Sequence, residues 1–104
     1  MVITGGYNVY PKEIELILDE IVGIKESAII GLPHKDFGEA VTAIIVPANM
    51  ATLPGTMHII DILKQQLANY KVPKKIIVLE QLPRNTMGKV QKNVLREQFK
   101  TLWQ

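Results

Sequence analysis

The stretch Leu82 to Arg96 reads LPRNTMGKVQKNVLR. Its central residue is Lys89. Pro83 stiffens the approach, Gly88 exposes the position, and an apolar-periodic segment follows at once. A lysine at such a loop tip carries a compact, mobile charge with three donors. Such a group neutralises a carboxylate and a phosphate oxygen together as charge redistributes in an in-line displacement. Arg84, Asn85 and Thr86 share the loop. By residue type alone, Lys89 is equally one of ten lysines solvating a surface, and loops carry many inert side chains.

A second segment, ITGGYNVYPKEIE from Ile3 to Glu15, places Gly5, Gly6, Tyr7 and Asn8 just before a helix. Paired glycines permit positive φ and let an extended ligand pass against bare backbone. A strand-to-helix turn with aromatic packing accounts for the same residues. The remaining candidates are weaker. His34 lies near Asp36 and Glu39, but these lack a metal-ligand spacing such as HExxH and read as solvated turn residues; no metal is expected. Glu13 and Glu15 point to different sides of a helix and make no acid/base pair; Glu13 suits the helix N-terminus. Lys71, Lys74 and Lys75 around Pro73 read as a solvated basic face. The chain has no cysteine, so it offers no disulfide framework, thiolate site or cysteine nucleophile.

The elements that must carry these loops are short. Met1–Ile3 reads as a strand. Pro11 opens a helix whose Ile14, Ile17, Leu18 and Ile21 form one buried face, and Gly23 stops it. Residues 27–32 (SAIIGL) and 40–46 (AVTAIIV) read as buried strands joined by a hairpin-like turn. Residues 57–70 form a second helix, with Ile60, Leu63, Leu67 and Tyr70 on one face. Residues 76–79 (IIVL) are a further strand, and residues 91–103 a closing helix carrying Leu95, Phe99 and Leu102. The order β-α-β-β-α-β-α predicts a small α+β domain, a three-stranded sheet packed with helices.

The 104 residues, 47% apolar and 21% charged, suit one soluble globular domain with a single core. The net charge of +2 is too small to indicate nucleic acid and helps a phosphate-rich ligand a little. No apolar run reaches the roughly 20 residues that span a bilayer. No basic segment followed by a cleavable apolar stretch opens the sequence, so no signal peptide is expected. The expected location is the cytoplasm. The abrupt start on a strand is expected of a piece of a longer protein.

Three segments together, GGYNVYPKEIE, GLPHKDFGE and PRNTMGKVQKNVLR, resemble in type and order the C-terminal domain of the adenylate-forming superfamily. That superfamily includes acyl-CoA synthetases, aryl-CoA ligases, luciferases and peptide-synthetase adenylation domains. The resemblance covers essentially the whole chain. It implies a mobile domain, residues 1–104, that works against a large N-terminal domain, turning a carboxylic acid, ATP and CoA into acyl-CoA, AMP and pyrophosphate. Mg2+ would come with ATP, held mainly by the large domain. By the same resemblance Lys89 is the adenylation lysine and Gly88 exposes it, with Arg84 and Thr86 in the lysine loop. Gly5 and Gly6 flank the pantetheine channel of CoA, and Tyr7 and Asn8 shape it. The Lys71, Lys74 and Lys75 cluster becomes a secondary candidate for CoA phosphates. NTMGKVQKN is similar to malonyl-CoA synthetases, which makes malonate the expected acid; a fatty or aryl acid is the alternative. A lysine acetyltransferase is an implied partner, since acetylation removes the charge of Lys89. A reading of a different class remains open: a free-standing module that binds a nucleotide or partner without catalysis.

Overall fold

The computed structural model describes residues 1–103. The elements in chain order are β1 (Val2–Thr4), β2 (Tyr7–Val9), α1 (Pro11–Asp19), β3 (Ile24–His34), β4 (Gly38–Pro47), α2 (Thr56–Gln66), β5 (Lys75–Val78) and α3 (Lys92–Phe99). Single 3₁₀ turns occupy Met50–Thr52 and Asn69–Lys71.

The sheet has five strands, where the sequence reading names four strands and joins three of them in a sheet. Its path is β2-β1-β4-β3, with β5 also on β4. β3 and β4 form a long antiparallel ladder, from Ile24 opposite Pro47 to His34 opposite Gly38. β5 runs parallel to β4 from Lys75 opposite Thr42, and α2 lies in the crossover that a parallel pair requires. The unpredicted strand is β2. It pairs with β1 from Val2 opposite Val9 to Thr4 opposite Tyr7, so the glycine segment is a hairpin and not a plain strand-to-helix turn.

Both faces of the β3–β4 ladder are covered. On one face Ile29, Val41, Ala43 and Ile45 pack with Ile14 and Leu18 of α1 and Ile59 and Leu63 of α2. On the other, Ala28, Ile30, Leu32, Ile44 and Val46 pack with Leu82 and with Leu95 of α3. Double coverage explains why these strands read as unbroken apolar runs instead of alternating ones. Each fully buried Leu or Ile contributes about 1.5–3 kcal/mol relative to exposure.

Pro11 sits at the first turn of α1, where its missing N–H is no loss. The helix ends at Asp19, four residues before Gly23, so that glycine turns the connection into β3 instead of stopping the helix. Gly23 has φ of +99°, and a Cβ there would lie 2.7 Å from the Thr52 carbonyl oxygen. α2 ends at Gln66 and α3 at Phe99, both earlier than their apolar periodicity suggests. Leu67, Tyr70, Leu102 and Trp103 still pack on the cores from turns beyond those helices. The outer edge of β3 is closed by Glu15, whose carboxylate accepts the Ile29 N–H at 2.8 Å and pairs with Lys92 of α3 at 2.7 Å. Covering an edge in this way blocks further strand pairing. Among the described residues no helix is long and apolar enough to cross a membrane.

Candidate functional site

The lysine segment is a tight hairpin. Leu82 is buried and Val90 half-buried against the α3-side core, which roots both stems. Arg84 pairs with Val90, the Asn85 N–H donates to the Lys89 carbonyl at 3.0 Å, and the Gly88 N–H donates to the Asn85 carbonyl at 3.0 Å. Gly88 has φ of +83°. A reverse turn closed by a left-handed glycine is the geometry of a three-residue hairpin with a bulge. A Cβ on Gly88 would meet nothing within 4 Å, so backbone conformation, not space, calls for glycine.

Asn85 organises this turn. Its side-chain oxygen accepts the N–H groups of Met87 and Lys89, each at 3.0 Å. Asparagine before a turn glycine is a readable signal for such bonding, and the role of Asn85 was left open by the sequence. Arg84 Nη1 donates to the Gly88 carbonyl at 2.7 Å, and its other terminal nitrogen pairs with Glu26 on β3. Glu26 had no sequence signal, being 58 residues away. Thr86 is exposed at the tip. The Lys89 backbone is therefore held at three points, counting the bond from Gln91 Nε2 to its carbonyl at 3.2 Å. Its side chain is exposed, and no ion pair among the described residues engages its ammonium. The arrangement is a rigid turn presenting a free cation.

The glycine segment is the second hairpin. Gly5 and Gly6 have φ of +55° and +85° between the paired residues Thr4 and Tyr7. Two positive φ values in a two-residue loop define the type I′ turn, which favours glycine at both positions. A Cβ on either would meet nothing within 4 Å. The tip is thus bare, exposed backbone. Asn8 is exposed on its flank. The ring of Tyr7 stacks on Tyr70, with centroids 4.6 Å apart and planes at 22°.

Beside Tyr70, the Lys71 ammonium sits 2.9 Å from the Glu13 carboxylate. That hydrogen bond raises the Lys71 pKa above the ordinary lysine value, against an opposing contribution from desolvation. Lys71 is committed to α1, whereas Lys74 lies over the Phe37 ring at 4.9 Å. His34 belongs to the β3–β4 turn. Its Nδ1 accepts the Asp36 N–H at 3.0 Å, and its ring packs with Phe37 and Trp103. Among the described residues no group of three or more His, Cys, Asp or Glu side chains is placed to hold a metal ion.

The two hairpins are not brought together. The lysine hairpin is tied to β3 at Glu26. The glycine hairpin is tied to the far end of the ladder, where Thr4 faces Gly38 and the Gly5 N–H donates to the Phe37 carbonyl at 2.9 Å. From Glu26 to His34 is eight residues of strand, so the anchor points are about 26 Å apart at ~3.3 Å per residue. One rigid sheet carries two exposed loops at opposite ends.

Comparison with known proteins gives these loops a context. Residues 13–89 match the family described as AMP-binding enzyme C-terminal domain. The long-chain-fatty-acid–CoA ligase FadD13 of Mycobacterium tuberculosis (strain ATCC 25618 / H37Rv) is 44% identical over 99 residues, covering 95% of this chain and 19% of that protein. The indoleacetate–CoA ligase of Aromatoleum aromaticum is 41% identical, covering 93% of this chain and 19% of that protein. The crystal structure of ATP-bound MatB from Rhodopseudomonas palustris superposes with a TM-score of 0.95 at 55% identity, covering 100% of this chain and 20% of that one. The chain therefore spans about a fifth of the length of the relatives it matches.

Proposed function

That this chain belongs to the AMP-binding enzyme C-terminal domain family is the premise from which we propose that it is the mobile domain of an AMP-forming acid–CoA ligase. It acts with a large N-terminal domain that binds most of the ATP and the acid, together with the Mg2+ that accompanies ATP. In the first half-reaction a carboxylate oxygen attacks the α-phosphorus of ATP and pyrophosphate leaves. Lys89 contributes there, its ammonium offsetting negative charge on the carboxylate and an α-phosphate oxygen. In the second half-reaction the CoA sulfur attacks the acyl carbon and AMP leaves. Gly5 and Gly6 flank the pantetheine arm, with Tyr7 and Asn8 on the same hairpin.

The observation that carries this reading is the placement of two exposed, pre-formed hairpins at opposite ends of one ladder. Neither loop reaches the other's position without moving the whole domain. Rotation of the domain between half-reactions presents first the lysine hairpin and then the glycine hairpin. Both hairpin tips are exposed, so the domain is expected not to turn over without its large partner. Acetylation of the exposed Lys89 would remove its charge and stop adenylation.

Malonate is the proposed acid. The stretch Asn85–Asn93, NTMGKVQKN, resembles the malonyl-CoA synthetases. Separate assay of the two half-reactions in the intact ligase carrying Lys89→Ala tests the assignment of Lys89, and comparison of malonate with a fatty and an aryl acid tests the substrate.

A further inference from the structure

The motif GLPHKDFGE, Gly31 to Glu39, has no task in the two-hairpin scheme, yet its first and last residues meet. β1 pairs with β4 through one residue pair only, Thr4 opposite Gly38. Two more bonds flank that pair. The Gly5 N–H donates to the Phe37 carbonyl at 2.9 Å, and the Ile3 N–H donates to Glu39 Oε1 at 2.9 Å. Residues 37, 38 and 39 thus grip residues 5, 4 and 3 in turn. The last grip is unusual in kind, a side-chain carboxylate standing where a strand would offer a backbone carbonyl. A bond from an N–H to a carboxylate is stronger than one between neutral groups.

Gly31 makes room for that carboxylate. A Cβ at Gly31 would lie 2.7 Å from Glu39 Oε2 and 2.9 Å from Val2 Cγ1. Lys92 and Arg96 of α3 line the same cavity as Gly31 and Glu39, with the Lys92 ammonium paired to Glu15. The turn is braced from its outer side as well. The Phe37 ring packs on His34 at 4.5 Å, and Gly38 turns the chain with φ of +77°.

We propose that Glu39 is a positioning residue for thioester formation: its carboxylate fixes β1 against β4 and thereby aims the Gly5–Gly6 turn at the pantetheine arm. Gly31 serves the same end by leaving the carboxylate its space. Glu39 touches no reacting atom, and its place opposite Pro33 is seven residues of strand from Glu26, about 23 Å along the ladder from the anchor of the lysine hairpin. The two half-reactions therefore respond to it unequally. This inference rests on the role given above to Gly5 and Gly6.

The test uses the intact ligase carrying Glu39→Ala, Glu39→Gln or Gly31→Ala. Adenylation is followed by malonate-dependent pyrophosphate release, and thioester formation by conversion of supplied malonyl-adenylate with CoA. Glu39→Ala is expected to slow thioester formation about tenfold or more, the scale of losing a hydrogen bond to a charged group, with adenylation within about twofold. Gln keeps an acceptor oxygen, so Glu39→Gln is expected to recover much of the rate. Gly31→Ala keeps the carboxylate but displaces it, and is expected to follow Glu39→Ala. Hydrogen exchange supplies a second readout: residues 1–9 gain exchange in Glu39→Ala while residues 82–91 do not. Parallel loss of both half-reactions would make Glu39 a merely structural residue and overturn the proposal, as would no loss in either. Gly6→Ala assayed alongside separates two kinds of failure. If it slows thioester formation and Glu39→Ala does not, only the role of Glu39 is wrong. If Gly6→Ala has no effect, the role of the glycine turn is wrong and the proposal falls with it.

Discussion

Gly88→Ala isolates what the lysine hairpin needs from its backbone. Gly88 has φ of +83°, and a Cβ there meets nothing within 4 Å. The substitution therefore adds no clash and removes no contact. Its whole effect is the cost of holding an L-residue in the left-handed region, about 1–2 kcal/mol. The ties that close the turn are exposed hydrogen bonds, each contributing about 0.5–1.5 kcal/mol. The penalty thus matches one or two of the bonds that keep Lys89 presented. A shift of that size changes a two-state population by up to about 5- to 30-fold. Adenylation in the intact ligase is expected to fall within that bound, with thioester formation from supplied acyl-adenylate unchanged. Asparagine tolerates the left-handed region better than alanine, so Gly88→Asn is expected to lose less. Equal adenylation by the parent and Gly88→Ala would refute the idea that the bulge presents the lysine. Equal loss in both half-reactions would refute the separation of the two hairpins.

Gly6→Ala applies the same logic at φ of +85°: thioester formation falls while adenylation holds, and the reverse pattern in the two assays would contradict the assignment of this turn. Glu13→Gln replaces the charged partner of the hydrogen bond that raises the Lys71 pKa by a neutral acceptor, so the Lys71 ammonium should titrate closer to the ordinary value of about 10.4, as read by NMR of the side chain. Because the folded-state pKa is raised, the stability from this pair is fully present below the unfolded value and is lost only as pH rises through the folded one. Glu13→Gln should thus make unfolding less pH-dependent in the alkaline range alone, and an unchanged Lys71 titration would show that Glu13 is not its partner.

Much of this architecture was legible because local chemistry carried it. Unbroken apolar runs marked β3 and β4, and apolar spacing with Pro11 marked α1. Gly88 beside Lys89 marked a loop, and Gly5–Gly6 marked a turn. The glycine pair was not read as a two-residue hairpin, because Tyr7–Val9 has only three residues and a single buried side chain, Val9. Such a strand shows no period. Helix ends were misjudged where apolar residues continue past the last turn: Leu67, Tyr70 and Leu102 still face the cores after the helical backbone has stopped. The least legible features are long-range polar ties. Arg84 to Glu26 and Ile3 to Glu39 join positions 58 and 36 residues apart. No local pattern distinguishes those carboxylates from solvated ones; only the folded sheet sets them opposite their donors.

The central claim is that Lys89 serves adenylation and not thioester formation. The direct measurement is Lys89→Ala in the intact ligase with malonate, ATP and CoA. Pyrophosphate release is followed in one assay, and conversion of supplied malonyl-adenylate to malonyl-CoA in another. Loss of a preorganised charge opposite developing negative charge should slow adenylation by roughly 10²–10³-fold, the scale seen when one such donor is removed, while thioester formation proceeds at the parent rate. Adenylation that survives the substitution would make Lys89 an ordinary surface lysine and contradict the account.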